Sequence, residues 1–381
     1  MFEVVVRKLL AMVLLVSLPA YSDAYDIAIN YGRVIDPESG LDAIRHIGIT
    51  GDKVTAVSTE PLAGSTVIDA RNLIVAPGFI DLHSHAITPE GQRYQLFDGV
   101  TTALELEAGA FPAKRITDQL SQQPLIHYGG SLGYLWLRQW YLSAEYQPSI
   151  LHSAETALDR EPNWPDLGAG AVFRQTLTNV QIQEIKTLMR HELALGDAIG
   201  IGLPIDYLKY GLTDAELSAV FEVAAETKTT LFIHARRMLV GDLAGLNEVI
   251  SLAEQSGASV HFCHINSNAL GAIDDFLARV GEARAKGVDI SIEAYPYEAG
   301  STQIGAAAFK GDWQNLYGME HEDIVWVETG ERLTPESFHD YQKNDPEGYI
   351  VLFSNTMDAV DKALLAPQTM IASDAMPAAT P

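Results

Sequence analysis

The segment Val75–Ala86, "VAPGFIDLHSHA", sets His83 and His85 one residue apart at the end of an apolar run. Residues i and i+2 of a strand point to the same face, so this pair can offer two imidazoles to one cation. Two histidines alone also fit the polar end of a buried strand, so the remaining donors decide. Glu105 and Glu107 end "TTALELE", His234 ends "TLFIH", His261 and His264 flank the end of "SVHFCHI", and Asp374 ends "TMIASD". Taken singly, each has an ordinary explanation: a surface histidine, a helix-capping aspartate, a solvated glutamate. Carboxylates in an apolar strand are harder to dismiss, because burying one unpaired is costly. Together, four histidines and an aspartate end the first, fifth, sixth and eighth of a series of strand-like runs. That conjunction points to a metal site.

The elements that must position these residues follow from the patterning. "GFIDLHSH", "TTALELE", "PLIHYGG", "AIGIGLP", "TLFIHA", "SVHFCHI", "DISIEAYP" and "TMIASD" are eight apolar runs of strand length, with helical stretches between most of them. Thr213 and Glu216 open one helix with a capping-box pattern, and Gly287 closes another. Strand–helix alternation over about 300 residues predicts an α/β fold, a (β/α)8 TIM barrel, whose functional residues lie at the C-terminal ends of the strands. A doubly wound sheet is the alternative, but no Gly-rich phosphate loop follows the first strand. Before the barrel, "YDIAINYGRVID" and "HIGITGDKVTAVS" read as strands, the second a hairpin turning at Gly51-Asp52. The expected organisation is a leader over 1–24, a small β subdomain over 25–75 and a barrel over 76–381.

Composition narrows the function classes. Acidic residues outnumber basic ones 50 to 25, and a net charge of −25 argues against nucleic acid or an anionic membrane surface as partner. The single cysteine, Cys263, excludes an intramolecular disulfide and a cysteine-rich zinc cluster, so His, Asp and Glu must hold any metal. Arg7 and Lys8 precede an apolar run over Leu9–Leu18, and Ser22 and Ala24 form a small-x-small cleavage pattern. The run is shorter than the ~20 residues of a membrane span. The expectation is an exported protein, periplasmic or secreted, with no stable membrane anchor after cleavage.

"VIDARNLIVAPGFIDLHSH", "DGVTTALELEAG", "GAIGIGLPIDY", "FIHAR", "YPYEAGST" and "MIASDAM" resemble, in order, motifs of the amidohydrolase superfamily, and within it of the N-acyl-D-amino-acid deacylases (D-aminoacylases). The likeness spans nearly the whole chain from residue 25 and implies a β-sandwich lead-in before the barrel. It further implies that His83 and His85 bind one zinc ion, that His234 and His264 bind a second or help hold the first, and that Asp374 is both ligand and general base. The implied reaction is hydrolysis of a linear amide by metal-activated water, converting a small N-acyl-D-amino acid into a carboxylate and a D-amino acid. The chain departs from the family where a metal-binding cysteine usually follows "GVTT". Glu107 stands in that region and is the expected ligand, with Glu105 the alternative. The family's carboxylate-binding lysine is replaced by Asn266, and its "HPR" segment has no counterpart before Pro381. Arg236, Tyr295, Tyr297 and Asn266 remain as the expected substrate contacts.

Strand parity turns Cys263 away from His264 and makes it a packing residue, and it makes His261 structural; His127 is left unassigned. Seven residues follow Asp374, so the expected barrel lacks its final helix. Two other functions stay open: a cyclic-amide hydrolase of dihydroorotase or hydantoinase type, and an inactive remnant serving as a binding protein.

Overall fold

The computed structural model describes residues 25–120, 124–142 and 170–376. The expected leader, 1–24, lies outside them. The chain divides into two compact units, 1–77 and 78–381.

In the first unit the strands are β1 (Tyr25–Asp36), β2 (Leu41–Thr50), β3 (Lys53–Ser58), β4 (Gly64–Asp69) and β5 (Ile74–Val75). They form one mixed sheet in the order β3-β2-β1-β4, with β5 also on β1. β2 and β3 are the hairpin turning at Gly51, whose φ of 61° suits glycine. Where the resemblance implies a sandwich, the described residues of this unit supply one sheet. Ala28, Val34, Ile47 and Ala70 are its buried apolar residues.

The second unit holds eight parallel strands: β6 (Phe79–Asp81), β7 (Val100–Ala110), β8 (His127–Gly133), β9 (Gly200–Pro204), β10 (Thr230–His234), β11 (Val260–Phe262), β12 (Ile290–Ala294) and, after an insertion, β16 (Thr369–Ile371). They are neighbours in chain order from β6 to β12, and β16 pairs with β12. The ring closes at its C-terminal mouth, where Ser84 and Ala375 form a parallel bridge. His85 N–H donates to Ala375 O at 2.8 Å and Asp374 N–H to His83 O at 2.9 Å. This is a nearly closed (β/α)8 barrel built on the eight runs recognised in the sequence. The apolar residues Leu132, Ile201, Leu203, Leu231, Ile233, Val260, Phe262, Ile290 and Ile292 pack against the surrounding helices in one continuous core.

Between β12 and β16 lies an unexpected three-stranded antiparallel sheet: β13 (Gly300–Gln303), β14 (Ile324–Trp326) and β15 (Tyr349–Leu352), in the order β13-β15-β14. Its helices, Trp313–Tyr317 and Pro335–Asn344, contribute Trp313, Tyr317 and Phe338 to a cluster of stacked and edge-on rings with Phe309. Its strands, of three or four residues, are too short for an alternating period to emerge from the sequence.

A buried ion pair ties the helices on one side of the barrel. Arg138, fully buried, donates to Glu216 at 2.7 Å and to the carbonyls of Val172 and Gln175; Tyr134 O–H also donates to Glu216, at 2.6 Å. Thr213 caps the helix Asp214–Thr227 by accepting from Glu216 N–H at 3.2 Å. The Glu216 carboxylate, however, is drawn to Arg138 instead of returning to the cap. Removing one member of such a pair leaves a buried charge without a partner and costs about 3–5 kcal/mol. Arg138→Met should therefore lower the thermal midpoint by several degrees in a calorimetric scan. An unchanged midpoint would show the pair to be dispensable.

Candidate metal centre

Six side chains from five strand ends meet at the barrel mouth. His83 Nε2 and His85 Nε2 are 3.3 Å apart, and Asp374 Oδ1 lies 3.3 Å from the first and 3.4 Å from the second. A tetrahedral ion with ligand distances of about 2.0–2.1 Å requires ligand–ligand edges of roughly 3.3–3.4 Å. The three atoms thus already stand at the spacing of one face of such a site.

The neighbours of these residues fix which atoms face inward. His83 Nδ1 is hydrogen-bonded to Glu293, and His85 Nδ1 lies 2.6 Å from Glu105. Each carboxylate accepts a hydrogen bond from Nδ1–H, which leaves Nε2 of the neutral ring free to ligate a metal. The two Nε2 atoms and a carboxylate oxygen then converge on one point, where a proton or a metal cation can be held between them. The charges agree. Burial pulls the His83 pKa down, but Glu293, Asp374 and Glu107 outweigh it and lift it to about 10. His85 is raised well above its usual value against the same opposition from burial, chiefly by Glu105 and Asp374. The site therefore attracts positive charge, and zinc or another divalent ion with nitrogen and oxygen ligands fits it.

Glu107 joins this triad to a second group. Its Oε2 lies 2.8 Å from His264 Nε2 and 3.4 Å from His83 Nε2, and its Oε1 lies 3.2 Å from His234 Nδ1. His264 Nε2 and His234 Nδ1 are 3.1 Å apart. One carboxylate thus spans both clusters, as a bridging ligand does between two ions. Burial raises the Glu107 pKa, but His234, His264 and His83 overcome it and hold the group well below the usual carboxylate range. Glu105 does different work: one oxygen orients His85 and the other accepts from Ala108 N–H at 3.1 Å. Both are placed by an irregular stretch of β7, whose register with β8 shifts between Glu105 and Ala110. Gly109, at φ 58°, lies in that shift, where a Cβ would meet Ser131 at 2.3 Å.

Two of the donors sit on left-handed backbone. His264 has φ 34° and Asp374 φ 51°. A histidine in that region is uncommon and stores strain of a kind concentrated at functional sites. This also corrects the parity expectations. β11 ends at Phe262, so alternation does not extend to Cys263 and His264. The Cys263 thiol packs with Leu106 and Phe232 but lies within 4.8 Å of ligand atoms of His83 and Glu293. Burial, aided by the surrounding carboxylates, pushes its pKa up, which keeps it a thiol and not a nucleophile. His261 is buried beneath the site, with Nε2 3.0 Å from Glu293 and Nδ1 2.8 Å from Ser291 Oγ, and so supports the carboxylate that orients His83. His127 is exposed at the start of β8, at the opposite end of the strand from the mouth.

Glu293 is the functional residue that sequence reasoning passed over. The signal was there: a carboxylate inside the apolar "DISIEAYP" invites the same burial argument as Glu105 and Glu107.

A cleft opens above the donors, lined among others by His85, Glu107, His234, His264 and Asp374. Tyr207, Tyr295, Tyr317 and Tyr349 line it, as do Ser301 and Thr302 of the inserted sheet. The expected substrate contacts divide. Tyr295 is in the cleft and buried. Tyr297 is half-exposed and lines a neighbouring groove, its ring 6.1 Å from that of Tyr295. Asn266 is fully buried and does not line the cleft: its amide donates to Tyr295 O at 3.1 Å and accepts from Tyr295 N–H at 3.4 Å. Arg236 is paired with Glu248 at 3.1 Å, outside the cleft, and Arg237 lines it instead. Both follow the end of β10, where the loop and not strand alternation decides direction.

No family model matches the chain. It is 26% identical over 289 residues to an N-acyl-D-glutamate deacylase of Alcaligenes xylosoxydans, which covers 73% of this chain and 58% of that protein. It is 28% identical over 295 residues to a dihydroorotase of Anaeromyxobacter, covering 74% of this chain and 63% of the relative. The chain thus spans about three fifths of the length of these curated relatives. Among solved structures, an N-acyl-D-glutamate deacylase of Bordetella bronchiseptica, complexed with zinc and a phosphonate inhibitor, superposes with a TM-score of 0.72 at 21% identity, over 92% of this chain and 76% of that one. Barrel and sequence similarity agree: the chain has the fold of that solved structure and is similar in sequence to N-acyl-D-amino-acid deacylases and to dihydroorotases.

Proposed function

We propose that the protein is a metal-dependent amidohydrolase that cleaves the linear amide of an N-acyl-D-amino acid. The observation that carries the reading is the triad of His83, His85 and Asp374 at metal-ligand spacing, with Glu107 reaching from it to His234 and His264. A divalent ion held there would act as a Lewis acid, lowering the pKa of water from 15.7 to about 7 and polarising the amide carbonyl.

The chain's own groups supply the rest. His83, His85, Glu107, His234 and His264 would hold and orient, with Glu293 fixing His83 and Glu105 fixing His85. Asp374, on strained backbone at the edge of the cleft, would accept the proton of the attacking water and return it to the departing amine. Water adds its oxygen to the acyl carbon, the C–N bond breaks, and a carboxylate and an amine leave. Burial keeps the Tyr207 phenol protonated, aided by the negative charge of Glu107. Its ring lies 5.0 Å from that of His234, so it can donate a hydrogen bond to the carbonyl oxygen as charge develops there. Support for a linear amide comes from "YPYEAGST" and from the deacylase relative.

The second reading, a cyclic amide, is favoured by the dihydroorotase relative. Export belongs to the proposal and rests on Arg7, Lys8, the Leu9–Leu18 run and the Ser22/Ala24 pattern; no helix among the described residues is long and apolar enough to cross a membrane.

Zinc-loaded protein expressed with its own leader should be recovered with Tyr25 as first residue. It should hydrolyse N-acetyl-D-amino acids but not dihydroorotate or hydantoin, and lose activity on chelation. Turnover of the cyclic amides alone would replace the first reading with the second. Recovery of an uncut leader would remove export.

A further inference from the structure

Arg237 lies in the loop after β10 and lines the cleft together with the metal-site residues. Its neighbour Arg236 is held by Glu248 at 3.1 and 3.4 Å. Arg237 has no such partner: among the described residues it is in no ion pair. Its Nη2 donates to Ser267 Oγ at 2.9 Å, and the guanidinium lies over the Tyr317 ring, 4.6 Å from its centroid. Its backbone N–H donates to Asp206 at 3.0 Å, but that carboxylate is also approached by Lys209 Nζ at 3.4 Å. The plane is thus fixed by one hydroxyl and one aromatic face, and the remaining N–H groups are left for something else.

Around it the cleft is built as a receptor. Ser267 and Tyr295 both line it, and Asn355 donates to the Tyr295 hydroxyl at 3.2 Å. Asn266, beneath, holds the Tyr295 backbone. A partly buried guanidinium with a fixed plane and free N–H groups is suited to bidentate contact with a carboxylate. An anion bound there would sit beside hydroxyl donors in the same cleft as Glu107 and Asp374.

We infer that Arg237, aided by Ser267 and Tyr295, holds the carboxylate of the substrate and makes a free carboxylate a condition of recognition. The identification of that anion as the substrate's own α-carboxylate rests on the proposed deacylase activity. The geometry of the guanidinium does not. Arg237 is then a specificity residue, acting on binding and leaving the ion and the proton transfers to other groups.

The test uses the zinc-loaded full chain carrying Asp374→Asn to slow turnover, with N-acetyl-D-leucine and N-acetyl-D-leucinamide as calorimetric ligands. The acid should bind about 100-fold more tightly than the uncharged amide, the range expected of hydrogen bonds to a charged group. Arg237→Met should abolish this preference without changing zinc content. Arg237→Lys, which keeps the charge and loses the fork, should retain roughly a tenfold preference. Arg236→Met should leave it intact. The inference fails if the parent shows no preference, if Arg237→Met keeps it, or if Arg236→Met removes it. Hydrolysis is read separately in the chain with Asp374 restored. An Arg237-dependent preference without turnover of N-acyl-D-amino acids retires the deacylase reading and leaves the anion site standing; turnover with no preference does the reverse.

Discussion

Glu107→Ala should empty the mouth of metal, and Glu105→Ala should only loosen it. Glu107 lies 2.8–3.4 Å from three imidazole nitrogens belonging to both clusters. Dividing the roughly 10–16 kcal/mol of a four-ligand zinc site among its ligands gives each about 3 kcal/mol, a factor of ~100 or more in affinity. A shared ligand weakens both positions at once, so the combined loss exceeds that of an unshared one. Glu105 touches no metal-facing atom. It sets the tautomer and tilt of His85 from the Nδ1 side, and losing such a partner costs about 10–100-fold in affinity. Elemental analysis after dialysis against a graded chelator should rank wild type first, then Glu105→Ala, then Glu107→Ala. The opposite order of the two variants would move the ligand to Glu105 and reassign the bulge in β7.

Asp374→Asn should separate holding from chemistry. The amide keeps an oxygen donor and nearly the same shape, so Glu107, His234 and His264 still hold an ion. What goes is the proton acceptor. Burial raises the Asp374 pKa, but His83, His85 and His264 overcome it and hold the carboxylate below its usual value, ionised at neutral pH. Loss of a positioned general base typically costs about 10²–10⁴-fold in rate. The expected result is a fall of that size in kcat with zinc at His234 and His264 retained. If kcat stays within tenfold of wild type while the metal is in place, Asp374 is a ligand only and the base lies elsewhere.

The eight barrel strands were legible because each is a largely apolar run of strand length, several of them ended by a polar residue, and buried parallel strands have that texture. The donors at their ends were legible for the same reason: His83, His85, His234 and His264 are polar residues where the core stops. Direction was legible only within strands. At the end of β10 the choice between Arg236 and Arg237 is made by a loop, and Glu248 settles it by capturing Arg236. At the end of β11 a positive φ, not alternation, turns His264 inward. The inserted sheet was hidden for another reason. Gly300–Gln303, Ile324–Trp326 and Tyr349–Leu352 are strands of four residues or fewer, too short for a period to emerge, yet Thr302, Tyr317 and Tyr349 line the cleft. Glu293 was visible as a buried carboxylate and was missed because it sits one strand away from the metal donors it serves.

The seam between β6 and β16 joins segments that are 292 residues apart at Asp81 and Ser373, where the Ser373 N–H donates to Asp81 at 3.1 Å. The same seam carries His83, His85 and Asp374, the three residues of the first cluster. An ion bound by them would be a clasp on the ring, because no open form of the barrel can bring all three together. Metal affinity and ring closure then form a single equilibrium, in which free ion at a hundred times its dissociation constant adds about 2.7 kcal/mol to the closed form. Chelation would withdraw that contribution and leave the seam to its own hydrogen bonds, making the ion a part of the architecture as much as of the chemistry.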